Sequence, residues 1–157
     1  MNVNKLLSLA ACCMLLTSVG IHAQSADTMD ILLASDSISI AEAAYIVLGA
    51  AGHISPDDST KLAFDELRRL TPAFTDRNPE TSITIAELSL IGMKAFDVPP
   101  GILFRLTGAA RYAFRDVRHR NILQDQLNPA DPVSGSTAIR LTGRFNLYVE
   151  RGRPARL

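Results

Sequence analysis

The sequence predicts a small all-α domain of about five or six short helices, built from a degenerate tandem helical repeat and preceded by a signal peptide. Three observations predict it. Ser37-Ile38-Ser39-Ile40-Ala41-Glu42 is matched by Ser82-Ile83-Thr84-Ile85-Ala86-Glu87 at an offset of 45 residues. Each copy opens an apolar stretch of helical length, ending near Gly52 and near Asp97. At an offset of 50, Ala63-Phe64, Arg68 and Asn78-Pro79 match Ala113-Phe114, Arg118 and Asn128-Pro129. Duplication on a period of about 20–50 residues marks stacked helical units, and no strand-like alternation competes with it. The repeated unit reads as helix, polar turn, capped helix.

Residues 1–23 read as a secretion signal. Lys5 supplies the positive start, Leu6 to Ile21 the apolar stretch, and Ile21-His22-Ala23 a small residue at the cut before Gln24. An uncleaved anchor is the rival reading. The stretch is shorter than the ~20 residues a spanning helix needs, and Ser8, Thr17, Ser18 and Gly20 dilute it. A second rival is a lipoprotein anchored through Cys12, since Leu9-Ala10-Ala11-Cys12 resembles a lipobox. Lipidation would leave only Leu6 to Ala11 as apolar core, below the usual ~7–15 residues. Cys12 and Cys13 are the only cysteines, so a chain cut at Ala23 has no thiol. Disulfides, thiolate nucleophiles and cysteine-ligated metals are then excluded, and the core alone must hold the fold.

Residues 24–36 form a polar, acidic leader interrupted by Ile31-Leu32-Leu33, and are expected to be loose. The helical domain is expected over residues 37–147, with repeat-like units near 37–97 and 83–147. Ser39 caps its first helix. Glu42, three positions on, reaches back to the cap amide, and Ile38 staples onto Ala43. Ile40, Ala43, Ala44, Val47 and Ala51 make its inner face. Gly52-His53-Ile54-Ser55-Pro56 breaks it. Asp57, Asp58 or Ser59 then caps a helix from Thr60 to Leu70, with Leu62, Ala63, Leu67 and Leu70 inward, and Thr71-Pro72 ends it. Asp76 to Thr81 is a turn around Asn78-Pro79.

The second copy repeats the cap with Thr84, Glu87 and the staple Ile83–Leu88. Ile85, Leu88, Gly92, Ala95 and Phe96 form its face. Val98-Pro99-Pro100-Gly101 is a hard break, followed by a short helix from Gly101 to Leu106. Ala109 to Asn121 is a basic helix with Ala110, Ala113, Phe114 and Val117 inward. Asp125 to Ser134 is a loop. Ser134 caps a last helix through Phe145, with Val133 and Ala138 as staple, and residues 148–157 are a basic tail.

The formal net charge of zero conceals an asymmetry. Residues 24–97 carry 5 Lys/Arg against 12 Asp/Glu, whereas residues 98–157 carry 10 Arg and no Lys against 4 acids. The halves either attract one another, or are solvated, or the second half faces an anion. Arg111, Arg115 and Arg118 recur at i, i+4 and i+7 opposite the apolar set, with Arg105 and Arg120 nearby. They are the candidate binding residues. Pairing of Arg111 or Arg115 with Asp116 or with the acidic first half is the structural alternative.

Other chemistries find no footing. There is no phosphate loop, no zinc-binding His-Glu-x-x-His helix and no nucleophile elbow. His53 and His119 stand apart, and Asp57-Asp58 lacks the spacing of a calcium loop. Glu42 and Glu87 are accounted for by capping. No cofactor, metal or catalytic residue is expected. Nucleic acid does not suit an exported chain without net positive charge.

The stretches Ile83-Thr84-Ile85-Ala86-Glu87 and Ile38-Ser39-Ile40-Ala41-Glu42 resemble the Ile-Thr-Arg-Ala-Glu opening of the S-layer homology module, and Phe114-Arg115-Asp116-Val117 is similar to its Phe-x-Asp-Val element. The resemblance spans residues 37–145 and implies a helix, a proline-containing loop and a capped helix in an envelope protein. It departs at the arginine that holds cell-wall glycan in that family. Ile40 and Ile85 stand there, and an aliphatic side chain makes no charge-assisted bond to an acidic sugar. Phe104-Arg105-Leu106 through Arg111-Tyr112-Ala113-Phe114-Arg115 also resembles uncharacterised exported proteins of spirochaetes, which implies an envelope address and no known activity.

Together these readings lead to the expectation of an exported, non-enzymatic protein of the periplasm or outer envelope, without a transmembrane span in its mature chain. It would bind an envelope protein or an anionic glycan or lipid. The alternative is a small envelope hydrolase using Asp57, Asp58 or Asp116.

Overall fold

A computed structural model describes residues 29–124 and 126–152. The expected signal peptide, its cut after Ala23, Cys12, and the tail arginines Arg153 and Arg156 lie outside the described residues. The described residues are helical, with isolated bridges and no strand. From Ile40 on, the helices are α1 (Ile40–Ala50), α2 (Thr60–Leu70), α3 (Ile85–Ala95), α4 (Ile102–Thr107), α5 (Ala110–His119) and α6 (Gly135–Glu150), with a 3-10 turn at Pro72–Phe74 after α2. The expected loose leader is corrected in part. Residues 29–34 are helical, and the compact body starts at Leu32, which is buried. Helix α6 also runs past the expected end at Phe145, to Glu150.

Both capping boxes form. The Ser39 hydroxyl accepts from Glu42 N–H at 3.2 Å, and the Glu42 carboxylate accepts from Ser39 N–H at 2.7 Å. Thr84 and Glu87 repeat this at 3.3 and 3.0 Å. Ser59, rather than Asp57 or Asp58, caps α2, and Ser134 caps α6.

Helices α1, α3 and α6 contact one another in the middle of the molecule, with α2 laid on α1 and α5 on α3. Their starts are tied by a closed ring of backbone hydrogen bonds. Ile38 N–H donates to Val133 O at 2.9 Å, Val133 N–H to Ile83 O at 3.1 Å, and Ile83 N–H to Ile38 O at 3.1 Å. All three side chains are fully buried, so the ring satisfies amides that water cannot reach. The Val133-Ser134 start thus takes a third place equivalent to Ile38-Ser39 and Ile83-Thr84.

The Asn-Pro turns recur for a related reason. The first amides of a helix have no intrahelical acceptor. Ile40 and Ala41 N–H donate to Thr81 and Pro79 carbonyls at 2.9 and 3.1 Å, and Ile85 and Ala86 N–H donate to Asp131 and Pro129 carbonyls, both at 3.0 Å. Asn78 and Asn128 shape each turn by accepting from Glu80 and Ala130 N–H.

Burial corrects three expected faces. On α1 and α3 nearly every side is covered, including Ala41, Ile46 and Leu48, and Ala86, Leu90 and Met93. These are central helices rather than amphipathic ones. On α2, Leu62 turns out to solvent and Leu70 is half-buried, while Phe64 joins Ala63 and Leu67 inside.

Candidate functional site

The basic segment is built around an elbow between α4 and α5. Asp97 takes a left-handed φ of 47° after α3, and Val98-Pro99-Pro100 carries the chain out of the core. Gly101 opens α4. Its N–H donates to the Asp116 carboxylate at 2.7 Å, and a Cβ there would lie 2.5 Å from the same carboxylate, so any other residue would push Asp116 away from this position. Gly108 closes α4 at a φ of 65°, its N–H donating to Phe104 O at 2.8 Å, as a left-handed C-cap requires. Phe104 is the buried residue of α4; Ile102, Leu103 and Leu106 face solvent.

Helix α5 buries Ala113, Phe114 and Val117 against α3, as the periodicity predicts, and Ala110 is half-buried. Arg111, Arg115 and Arg118 are all exposed along its other face. None has a hydrogen-bond or ion-pair partner among the described residues. The alternative, pairing with Asp116 or with the acidic half, does not form among the described residues, and Asp116 takes the Gly101 amide instead. The ion pairs Arg68–Asp65, Arg69–Glu66 and Arg77–Glu87, at 3.9, 3.3 and 2.9 Å, lie within the acidic half. Arg105 is exposed on α4. Arg120 leaves the candidate set. Its guanidinium donates to Pro99 O at 2.7 Å and Tyr148 Oη at 3.0 Å, tying α5 to the proline break and to α6.

An open cleft of about 570 Å³ runs between α4 and α5, lined by Ile102, Leu103, Tyr112, Phe114, Arg115, Asp116, Arg118 and His119. Sequence reasoning singled out its arginines and missed its exposed aliphatic wall. The signal was available. A six-residue helix between a proline break and a glycine cap has too little surface to bury four large apolar residues.

The remaining polar candidates have local roles. His53 Nε2 lies 2.9 Å from Ala95 O, and the Asp58 carboxylate accepts from Ser55 N–H at 2.7 Å. Among the described residues no cluster of three or more His, Cys, Asp or Glu could hold a metal, and no helix is long and apolar enough to cross a membrane. Comparison with protein-family models, curated proteins and solved structures finds no match.

Proposed function

We propose that this chain is an exported, non-enzymatic cell-envelope protein that binds an envelope protein or an anionic wall or lipid component through Arg111, Arg115 and Arg118. The observation that carries the reading is the exposure of these arginines on one face of α5 without a polar partner among the described residues. A guanidinium left in water is ready for a carboxylate or phosphate, which it grips in two parallel bonds. Export rests on the signal sequence read over residues 1–23, with Lys5, the apolar stretch Leu6 to Ile21 and the small residue Ala23.

The S-layer homology resemblance enters this reading at the level of the fold. Ile40 and Ile85 are 0 % and 1 % exposed, so the position of the family's glycan-holding arginine is here a core position. Of the carboxylates in the hydrolase alternative, Asp58 and Asp116 each hold a backbone amide and Asp57 is exposed in the loop before α2, so no specific observation favours that alternative.

The test is capture from envelope extract at low salt. The Arg111→Gln, Arg115→Gln, Arg118→Gln variant keeps helix propensity and aliphatic cover, so it should melt like the parent. It should capture several-fold less material. Parental capture should fall with salt, because exposed charges are screened over about 8–10 Å near physiological ionic strength. Equal capture by variant and parent would remove the arginine strip from the function.

A further inference from the structure

Resting on that reading, we propose that the α4–α5 elbow docks on the surface of an anionic phospholipid bilayer. Ile102 and Leu106 enter the acyl boundary, while Arg105, Arg115 and Arg118, with Arg111 one turn before Arg115 at the start of α5, meet the headgroup phosphates. Ile102 and Leu106 are 83 % and 81 % exposed, the most exposed of the large apolar side chains described. They stand at i and i+4 of α4, hence on one face of it. Leu103, 48 % exposed, flanks them, and Ile102 and Leu103 share the cleft with Arg115 and Arg118.

The juxtaposition selects the occupant. A soluble acidic glycan would answer the arginines but leave the aliphatic side chains in water. A second copy of the chain, packed face to face, would bring arginine strip toward arginine strip, because a two-fold contact uses the same patch on both partners. A bilayer interface answers both halves of the patch at once. It offers apolar depth of about 5–10 Å behind a layer of phosphates, the arrangement to which interfacial helices with a cationic face and an apolar face bind.

Helix α4 has six residues, so its apolar contribution is small and the attachment depends on charge as well. Each arginine near an anionic surface contributes about five-fold in partition, the equivalent of about 1 kcal/mol. The long arginine side chains keep their heads at phosphate level while their stems lie along the apolar face. The result is a peripheral, salt-reversible attachment that needs both elements.

Vesicle flotation tests this, using phosphatidylcholine alone and phosphatidylcholine mixed with phosphatidylglycerol, with immobilised heparin as a non-lipid polyanion. The chain has no tryptophan, so Leu106→Trp provides a reporter at the contact itself. The parent should float with the mixed vesicles, less with the neutral ones, and detach as salt rises. The Leu106→Trp emission should shift to the blue with the mixed vesicles, and less with the neutral ones. Ile102→Ser with Leu106→Ser should melt normally, lose vesicle binding several-fold and stay on heparin like the parent. A double variant that floats like the parent, or an unshifted tryptophan, overturns the bilayer inference and leaves the arginine strip standing. Capture of an acidic envelope protein by a parent that ignores the vesicles does the same. A parent held by neither vesicles nor heparin, and capturing nothing from extract, overturns both.

Discussion

Ser39 and Thr84 each take the N3 amide of their helix, and Glu42 and Glu87 each return a bond to the cap amide. The repeat of these residue types has a local cause, since a capped start satisfies amides that the helix itself cannot. Ser39→Ala or Thr84→Ala should each cost about 0.5–2 kcal/mol of stability, read from denaturant midpoints. Glu42→Gln should be milder, because glutamine also closes the box. Glu87→Gln should cost more than Glu42→Gln, since it also weakens the 2.9 Å contact with Arg77, where such pairs contribute about 0–1 kcal/mol. Lost binding by either glutamine variant with an unchanged melt would show that these acids do more than cap.

At the scale of elements, composition separates central helices from outer ones. Helix α3 is buried on nearly all sides, and even its polar Ser89 is inside, donating to Ile85 O at 2.8 Å. Gly92 gives α6 its approach. Phe145 of α6 stacks on Phe96 with ring centroids 5.6 Å apart, and a Cβ on Gly92 would lie 2.2 Å from the Phe145 ring. That ring is buried and held by Phe96, so it has little room to retreat. Gly92→Ala should therefore destabilise by about 1–3 kcal/mol through overpacking. In an open helix the same change would stabilise by about 1 kcal/mol. A thermal melt decides by its sign alone.

At the scale of the molecule, the ring of Ile38, Ile83 and Val133 joins three starts that lie far apart in sequence. The third start differs from the others at Gly135, which stands where they have Ile40 and Ile85. The reason is a backbone crossing. Gly135 N–H donates to Ser35 O at 3.0 Å, and a Cβ would fall 1.6 Å from Leu32 O. The N-terminal segment from Leu32 passes directly over the α6 start, and main chain cannot yield as a side chain can. Gly135→Ala should cost about 1–3 kcal/mol or more. Hydrogen exchange should quicken at the Gly135 and Ile38 amides, which rely on Ser35 and Val133. Unchanged protection at both would mean that the crossing does not hold this end closed.

The sequence by itself determined the all-α class, the capped helix starts, the breaks and the spacing of Arg111, Arg115 and Arg118. These depend on neighbours within about one helical turn, whose chemistry is local. Only the tertiary structure decided which helices are central, that Val133-Ser134 is a third equivalent start, that Asp116 and Arg120 serve the Gly101 and Pro99 backbone, and that Ile102 and Leu106 remain outside. Those outcomes depend on which distant backbone arrives to cover a face or accept an amide: the shortness of α4 signals that some of its apolar residues stay outside, but which of them do depends on where Phe104 finds its cover.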